Sequence, residues 1–166
     1  MHHSDFIQTI AKVYNPELYL ELGLYHGETI NKVSSMGIKC IGVDVSPIQQ
    51  KQNQVIYNCS TDEFFQKNLP IHPDMVFIDA DHKYESAKRD FENVLNIIAD
   101  NGVIILHDTD PMSEKYVGAG GCGDVYRLID DLEKQDRFNL VTLPVAEAGL
   151  TVVTFRGKTR TQLRRI

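Results

Sequence analysis

Short apolar runs rich in Val, Ile and Leu recur along the chain, separated by stretches of helical spacing or by turn residues. Such alternation predicts strands and helices in succession, with a mostly parallel sheet. The runs predict seven strands, at 18–24, 39–45, 54–59, 74–80, 102–107, 138–143 and 149–156. Between them, the strongest helical pattern runs from Tyr84 to Ala99, where Ala87, Phe91, Val94, Leu95 and Ile98 share one face. Asn101-Gly102 ends it and turns the chain. Ser60 and Glu63 fit a capping box, in which each side chain satisfies a free backbone N–H ahead of Phe64 and Phe65. Further helices are expected over 4–14, 28–36 and 123–135.

Only Val145 to Gly149 separates the last two strands, too little for a crossover with a helix, so they should pair as an antiparallel hairpin. The expected fold class is α/β: a seven-stranded, mostly parallel sheet with a terminal antiparallel hairpin and helices on both faces. A single domain is expected over 1–156, followed by a basic tail at 157–166.

Composition narrows this without changing it. A chain of 166 residues, 42% hydrophobic and 24% charged, fits one globular domain able to bury a core. Nothing approaches a membrane-spanning run or a signal peptide, so a cytoplasmic protein without a membrane partner is expected. A net charge of -6 argues against nucleic acid as a partner. The positive stretch from Arg156 to Ile166 reads as a solvated end, with a phosphate-binding arm as the alternative. Cys40, Cys59 and Cys122 form no close pair and read as reduced structural residues.

Candidate chemistry begins where the first strand runs into Glu21-Leu-Gly23-Leu-Tyr25-His-Gly27-Glu-Thr29 and then a helix. In open α/β sheets, ligands bind at such strand carboxyl ends, and glycines allow close backbone approach. The same spacing also suits a plain tight turn. Asp44 ends the second strand, where it can accept hydrogen bonds from both ribose hydroxyls or cap the turn before Pro47. After the third strand, Asp62 in Ser60-Thr61-Asp62 can accept from an adenine amino group or cap a helix. Glu21, Asp44 and Asp62 thus place one carboxylate at each of three successive strand ends.

Taken together, Glu-x-Gly-x-x-x-Gly-x-Thr and the second-strand Asp resemble the cofactor motifs of class I S-adenosylmethionine-dependent methyltransferases, whose fold is Rossmann-like. Val76-Phe-Ile-Asp79-Ala-Asp81-His82-Lys-Tyr84-Glu85, then Asp90, then Gly102-Val-Ile-Ile-Leu-His107-Asp108-Thr109, resembles the small-molecule O-methyltransferase branch, methyltransferase family 24-like. The resemblance implies S-adenosylmethionine as cofactor, with Gly23 and Gly27 bounding its methionine portion, Asp44 at ribose, and Thr61 and Asp62 near adenine. Glu21 would organise the loop and the methionine end, with Thr29 completing the motif. Tyr25 stands where many relatives have a further glycine, so Tyr25 or His26 would cover the ligand.

Methyl transfer needs an in-line acceptor held close to the sulfonium methyl, and a hydroxyl acceptor needs a base, a metal ion or both. His82, three residues beyond Asp79, is the candidate base, against a surface histidine opening the next helix. The resemblance also implies that Asp79, His107 and Asp108 could hold a divalent ion, magnesium or a transition metal, with Asp81 and Asp110 as reserve ligands. Here the pair ending strand five is His107-Asp108 instead of two acids, which suits magnesium less well, and Asp79 contacting S-adenosylmethionine is the alternative. The expected partner is a small-molecule acceptor, a sugar or another hydroxyl compound, with homo-oligomerisation left open. Gly118 to Gly123 reads as a lid or as an inert connection. A non-catalytic S-adenosylmethionine-binding module and an NAD-dependent oxidoreductase are the competing functions; the absence of Gly-x-Gly-x-x-Gly disfavours the second.

Overall fold

Alternation along the strands sorts apolar side chains onto two faces of one sheet. The computed structural model describes residues 2–118, 121–145 and 148–157. Its strands are β1 (Leu18–Leu22), β2 (Lys39–Asp44), β3 (Gln54–Asn58), β4 (Met75–Ile78), β5 (Val103–His107), β6 (Phe138–Leu143) and β7 (Leu150–Phe155). They form one sheet of order β3-β2-β1-β4-β5-β7-β6. β1 to β5 pair in parallel, while β7 runs antiparallel to both β5 and β6. The seven strands and the terminal hairpin therefore stand as the sequence predicts.

Helices α1 (His3–Tyr14) and α2 (Glu28–Ser34) pack on one face through Ile7, Ala11, Ile30 and Val33, against Tyr19, Met75, Phe77 and Ile105. Helices α3 (Thr61–Gln66), α4 (Tyr84–Leu95) and α5 (Tyr126–Glu133) cover the other. There Phe64, Phe91, Val94 and Leu128 meet Leu20, Leu22, Val76, Ile78, Ile104 and Leu106. Even-numbered positions of β1, β4 and β5 thus face α3 to α5 and odd-numbered ones face α1 and α2, as a strand's two-residue period requires. No described helix is long and apolar enough to cross a membrane.

Differences from the sequence reading lie at element ends. α4 stops at Leu95, a turn early, because the Ala99 N–H leaves the helical ladder for the Pro73 carbonyl at 3.0 Å and directs the chain into β5. α5 begins at Tyr126 instead of near 123, since Asp124 is held by the β4–α4 turn: its N–H donates to the His82 carbonyl at 3.1 Å, and its Oδ1 accepts the Tyr84 N–H at 2.6 Å. A short 3-10 turn at Glu114–Tyr116 was not anticipated. The capping box is present, with Ser60 and Glu63 exchanging hydrogen bonds at 3.2 and 2.9 Å. Ala119 and Gly120, Ala146 and Glu147, and the basic tail from Lys158 lie outside the described residues.

Candidate active site

Strand register fixes which side chains meet. Leu22 pairs with both Val43 and Ile78, and Ile78 pairs with Leu106, so the residues that follow, Gly23, Asp44, Asp79 and His107, form a row at one sheet edge. Gly23 is required there: its φ is +87°, and a Cβ would lie 2.1 Å from the Asp79 carbonyl oxygen. This crossing turns the chain away from β1. Gly27 also takes a left-handed conformation, at φ +71°, as the residue preceding α2.

Asp44 organises the loop between them. Its Oδ2 accepts the N–H groups of Leu24 and Tyr25 at 2.7 and 3.0 Å, and its Oδ1 accepts the Ser46 N–H at 2.7 Å. Tyr25 has φ +51°, a conformation glycine adopts freely, and the Asp44 bond helps hold it there. Tyr25 is 80% exposed, and its ring lies 3.8 Å from that of His26, tilted by 47°. Glu21 is 1% exposed and accepts the Tyr19 hydroxyl proton at 2.6 Å; burial pushes its carboxyl well above the usual range. Thr29 is buried in the first turn of α2.

A cavity of about 290 Å³ opens at the ends of β1 to β4, lined by Gly23, Asp44, Thr61, Asp62 and Ala80 and by Ser86, Arg89 and Asp90 of α4. Of the candidate cofactor residues, Gly23, Asp44, Thr61 and Asp62 line it, while Glu21, Tyr25, Gly27, Thr29 and Asp79 do not. Asp62 is paired across the rim with Arg89, Oδ1 to Nε at 2.7 Å. The α4 wall was missed from sequence. Positions 86, 89 and 90 share a helical face, yet beside the apolar face at 87, 91 and 94 they resemble an ordinary solvated flank.

On the other side of β4, a charge cluster gathers. The His82 Nδ1 lies 2.8 Å from both the Gly121 carbonyl oxygen and Asp108 Oδ2. A carbonyl only accepts, so Nδ1 carries a proton and Nε2 is the nitrogen left free. The hydrogen-bonded Asp108 raises His82 to about 9 against the effect of burial. His107 Nδ1 sits 3.1 Å from carboxylate oxygens of both Asp79 and Asp108, off the direction of a hydrogen bond. Burial lowers its pKa, but the two carboxylates outweigh this and lift it to about 10. Burial likewise pushes Asp108 up, and the two imidazoles reverse it, leaving that carboxyl well below its usual range. Asp108 takes a left-handed conformation, φ +61°, which lets consecutive residues His107 and Asp108 both reach the cluster.

Ligand atoms of Asp79, His82 and Asp108 lie within 4.8 Å of one another, a spacing open to a divalent ion. His107 lies behind them, its ring 4.7 Å from that of His3 and 6.2 Å from that of Phe77. Neither Asp81, bonded to Ser86 at 2.8 Å, nor Asp110, beside Gly149, joins this group. Cys122 is buried, and its thiol is pushed up to about 11 by that burial and by Asp108, so it is not a nucleophile. A second cavity, of about 670 Å³, is lined by His82, Lys83, Val117, Gly121 and Asp124. It shares Asp81 with the first cavity.

The family model for a methyltransferase domain, methyltransferase family 24, matches residues 20–109, which span β1 to the end of β5 and include every strand end described above. This chain belongs to that methyltransferase family. Its structure resembles an O-methyltransferase from Bacillus cereus in complex with S-adenosylhomocysteine (TM-score 0.71, 15% identity, covering 93% of this chain and 80% of that one). A methyltransferase from Podospora anserina bound to the same compound gives 0.71, 15%, 93% and 78%. The Streptomyces achromogenes O-methyltransferase TomG, in complex with S-adenosylmethionine, gives 0.69, 13%, 93% and 80%. At these identities the likeness is one of fold, that of a class I methyltransferase. Among curated proteins, none matches significantly by sequence. Membership of a methyltransferase family sets aside the NAD-dependent alternative.

Proposed function

We propose that this methyltransferase moves a methyl group from S-adenosylmethionine to a hydroxyl of a sugar or other small molecule. The observation that carries the proposal is that two cavities meet at the carboxyl end of β4, sharing Asp81, with His82 lining the second and Asp108 directly beside it. A donor in the first cavity and an acceptor in the second would meet at that junction, and holding two reactants together supplies much of the acceleration. Solved structures of the same fold hold S-adenosylmethionine or S-adenosylhomocysteine.

The chain's residues fit the donor. Asp44 offers about four lone-pair positions, and the backbone N–H groups of Leu24, Tyr25 and Ser46 take three, leaving about one for a ribose hydroxyl. Gly23 presents bare backbone at the methionine end, and Thr61 and Asp62 stand at the far wall.

At the acceptor, His82 is the base in this reading. The Gly121 carbonyl and Asp108 fix its ring; with its pKa held at about 9, the neutral ring whose Nε2 receives the hydroxyl proton as the C–O bond forms is the minor form near pH 7, so turnover should rise as pH approaches 9. A second reading is favoured by the spacing of Asp79, His82 and Asp108: these three would hold a divalent ion that polarises the acceptor oxygen. His82→Ala with a chelator control separates the two. With His82 as base, the variant retains S-adenosylhomocysteine affinity, loses at least about 100-fold in turnover, and chelation leaves the wild type unchanged. A fall in wild-type turnover on chelation, restored by a divalent ion, selects the ion. Tight cofactor binding with no transfer to any of a panel of sugar and phenol hydroxyls would instead make the chain a binding module.

A further inference from the structure

We infer that Tyr19, inside β1, is a positioning residue for the methyl donor, acting through Glu21 on the start of α2 and the loop before it. The inference rests on the donor reading above. Tyr19 is 0% exposed and lies two positions before Glu21, so the period of the strand puts both on the face covered by α1 and α2. Around Tyr19 that layer is apolar, built from Ile7, Ala11, Ile30, Val33 and Met75. Among the described residues its hydroxyl has one hydrogen-bond partner, Glu21 Oε2 at 2.6 Å.

Glu21 does not line the donor cavity, and at 1% exposure it acts through what it holds. Besides the Tyr19 proton it accepts the backbone N–H of Ile30, in the first turn of α2. The carboxylate therefore ties β1 to α2 across the segment from Gly23 to Gly27. Gly23, Tyr25 and Gly27 all have positive φ, so no regular ladder fixes the course of that segment. Two carboxylates anchor it instead: Asp44 at the Leu24 and Tyr25 N–H groups, and Glu21 at the helix that follows. A carboxylate is costly to bury unless donors meet it, and Tyr19 supplies one of them. Without that hydroxyl, burial favours a protonated or displaced Glu21, which holds the Ile30 N–H less firmly. The loss falls on the amino-acid end of the donor, beside Gly23, and spares the adenosine end, beside Thr61 and Asp62.

Calorimetric titration with S-adenosylhomocysteine and with 5′-methylthioadenosine, which keeps adenosine and sulfur but lacks the amino-acid end, tests this. Tyr19→Phe removes one oxygen atom and keeps the ring that fills the layer. It should weaken S-adenosylhomocysteine about tenfold and leave 5′-methylthioadenosine within about threefold. A merely structural role would lower the unfolding midpoint and move the two affinities together or not at all. In a Glu21→Met background, Tyr19→Phe should change S-adenosylhomocysteine affinity by less than about threefold, because Tyr19 acts through the carboxylate. If Glu21→Met does not fold, Tyr19→Phe alone decides. Unchanged S-adenosylhomocysteine affinity in Tyr19→Phe, or equal losses for the two ligands, overturns the inference. So does a tenfold loss that persists in the Glu21→Met background, or a wild type that binds the two compounds equally. Failure of the wild type to bind S-adenosylhomocysteine at all defeats the donor reading, and this inference with it.

Discussion

At Gly23, a positive φ and a carbonyl oxygen 2.1 Å from where a Cβ would sit act together, so any side chain must push β1 away from β4 where Asp79 leaves the sheet. Gly23→Ala should therefore destabilise the protein by roughly 3 kcal/mol or more, measured by urea unfolding, whereas Gly37→Ala, with φ +87° but open space, should lose far less. Asp90 supplies the opposite case, a residue whose present form costs stability. Its folded pKa of about 6 lies above the value expected in the unfolded chain, so the folded state holds the extra proton between about pH 4 and 6. That stabilising contribution is complete below the unfolded pKa and is lost as pH rises through about 6. Asp90→Asn should remove this loss, up to roughly 2–3 kcal/mol, and so gain on the wild type between pH 4 and 7. Urea midpoints in that range that stay parallel for the two proteins would contradict the burial argument. Asp44 was legible from sequence as a strand-end acid, but its three backbone partners were not, because they belong to a loop whose conformation only the fold sets.

Among elements, the glycine-rich segment after β5 shows how composition can mislead. Glycine suggests a mobile lid or an inert link, yet Gly121 and Gly123 lie against the β4–α4 turn. Gly123 has φ +58°, and a Cβ there would fall 1.6 Å from the His82 carbonyl oxygen, while the Gly121 carbonyl accepts from the His82 ring at 2.8 Å. Asp124 ties the same turn through the Tyr84 and His82 backbones. Gly121, Gly123 and Asp124 thus brace the turn that carries the imidazole. Gly123→Ala should lower turnover at least about tenfold while leaving S-adenosylhomocysteine affinity within about threefold, because Gly123 lines the cavity proposed for the acceptor and not the one proposed for the donor. Equal losses in both quantities would show a wider disturbance. In α3 the Ser60 and Glu63 box was readable outright, since capping depends on neighbours three residues apart and on nothing distant.

For the whole molecule, the cavity proposed for the donor, made by the ends of four strands and by α4, exists only in the folded chain, so the ligand should stabilise that state. At about 100 times its dissociation constant, S-adenosylhomocysteine should add about 2.7 kcal/mol and raise the melting temperature by roughly 5–10 °C, with NAD giving no shift. The order and kind of the elements was fixed by local pattern: two-residue and helical periodicities are written in adjacent positions, which is why all seven strands and the terminal hairpin were readable. Their arrangement was not. β7 inserts between β5 and β6, a choice made by burying Leu150 and Val153 against neighbours on both sides. The site divides in the same way. The loop from Glu21 to Thr29 and the acids at strand ends could be named from spacing, because a parallel sheet puts strand ends on one edge. That His82 leans on Asp108, that His107 lies behind Asp79, and that α4 brings Asp90 to the cavity wall were decided by register and helix packing between residues far apart in sequence.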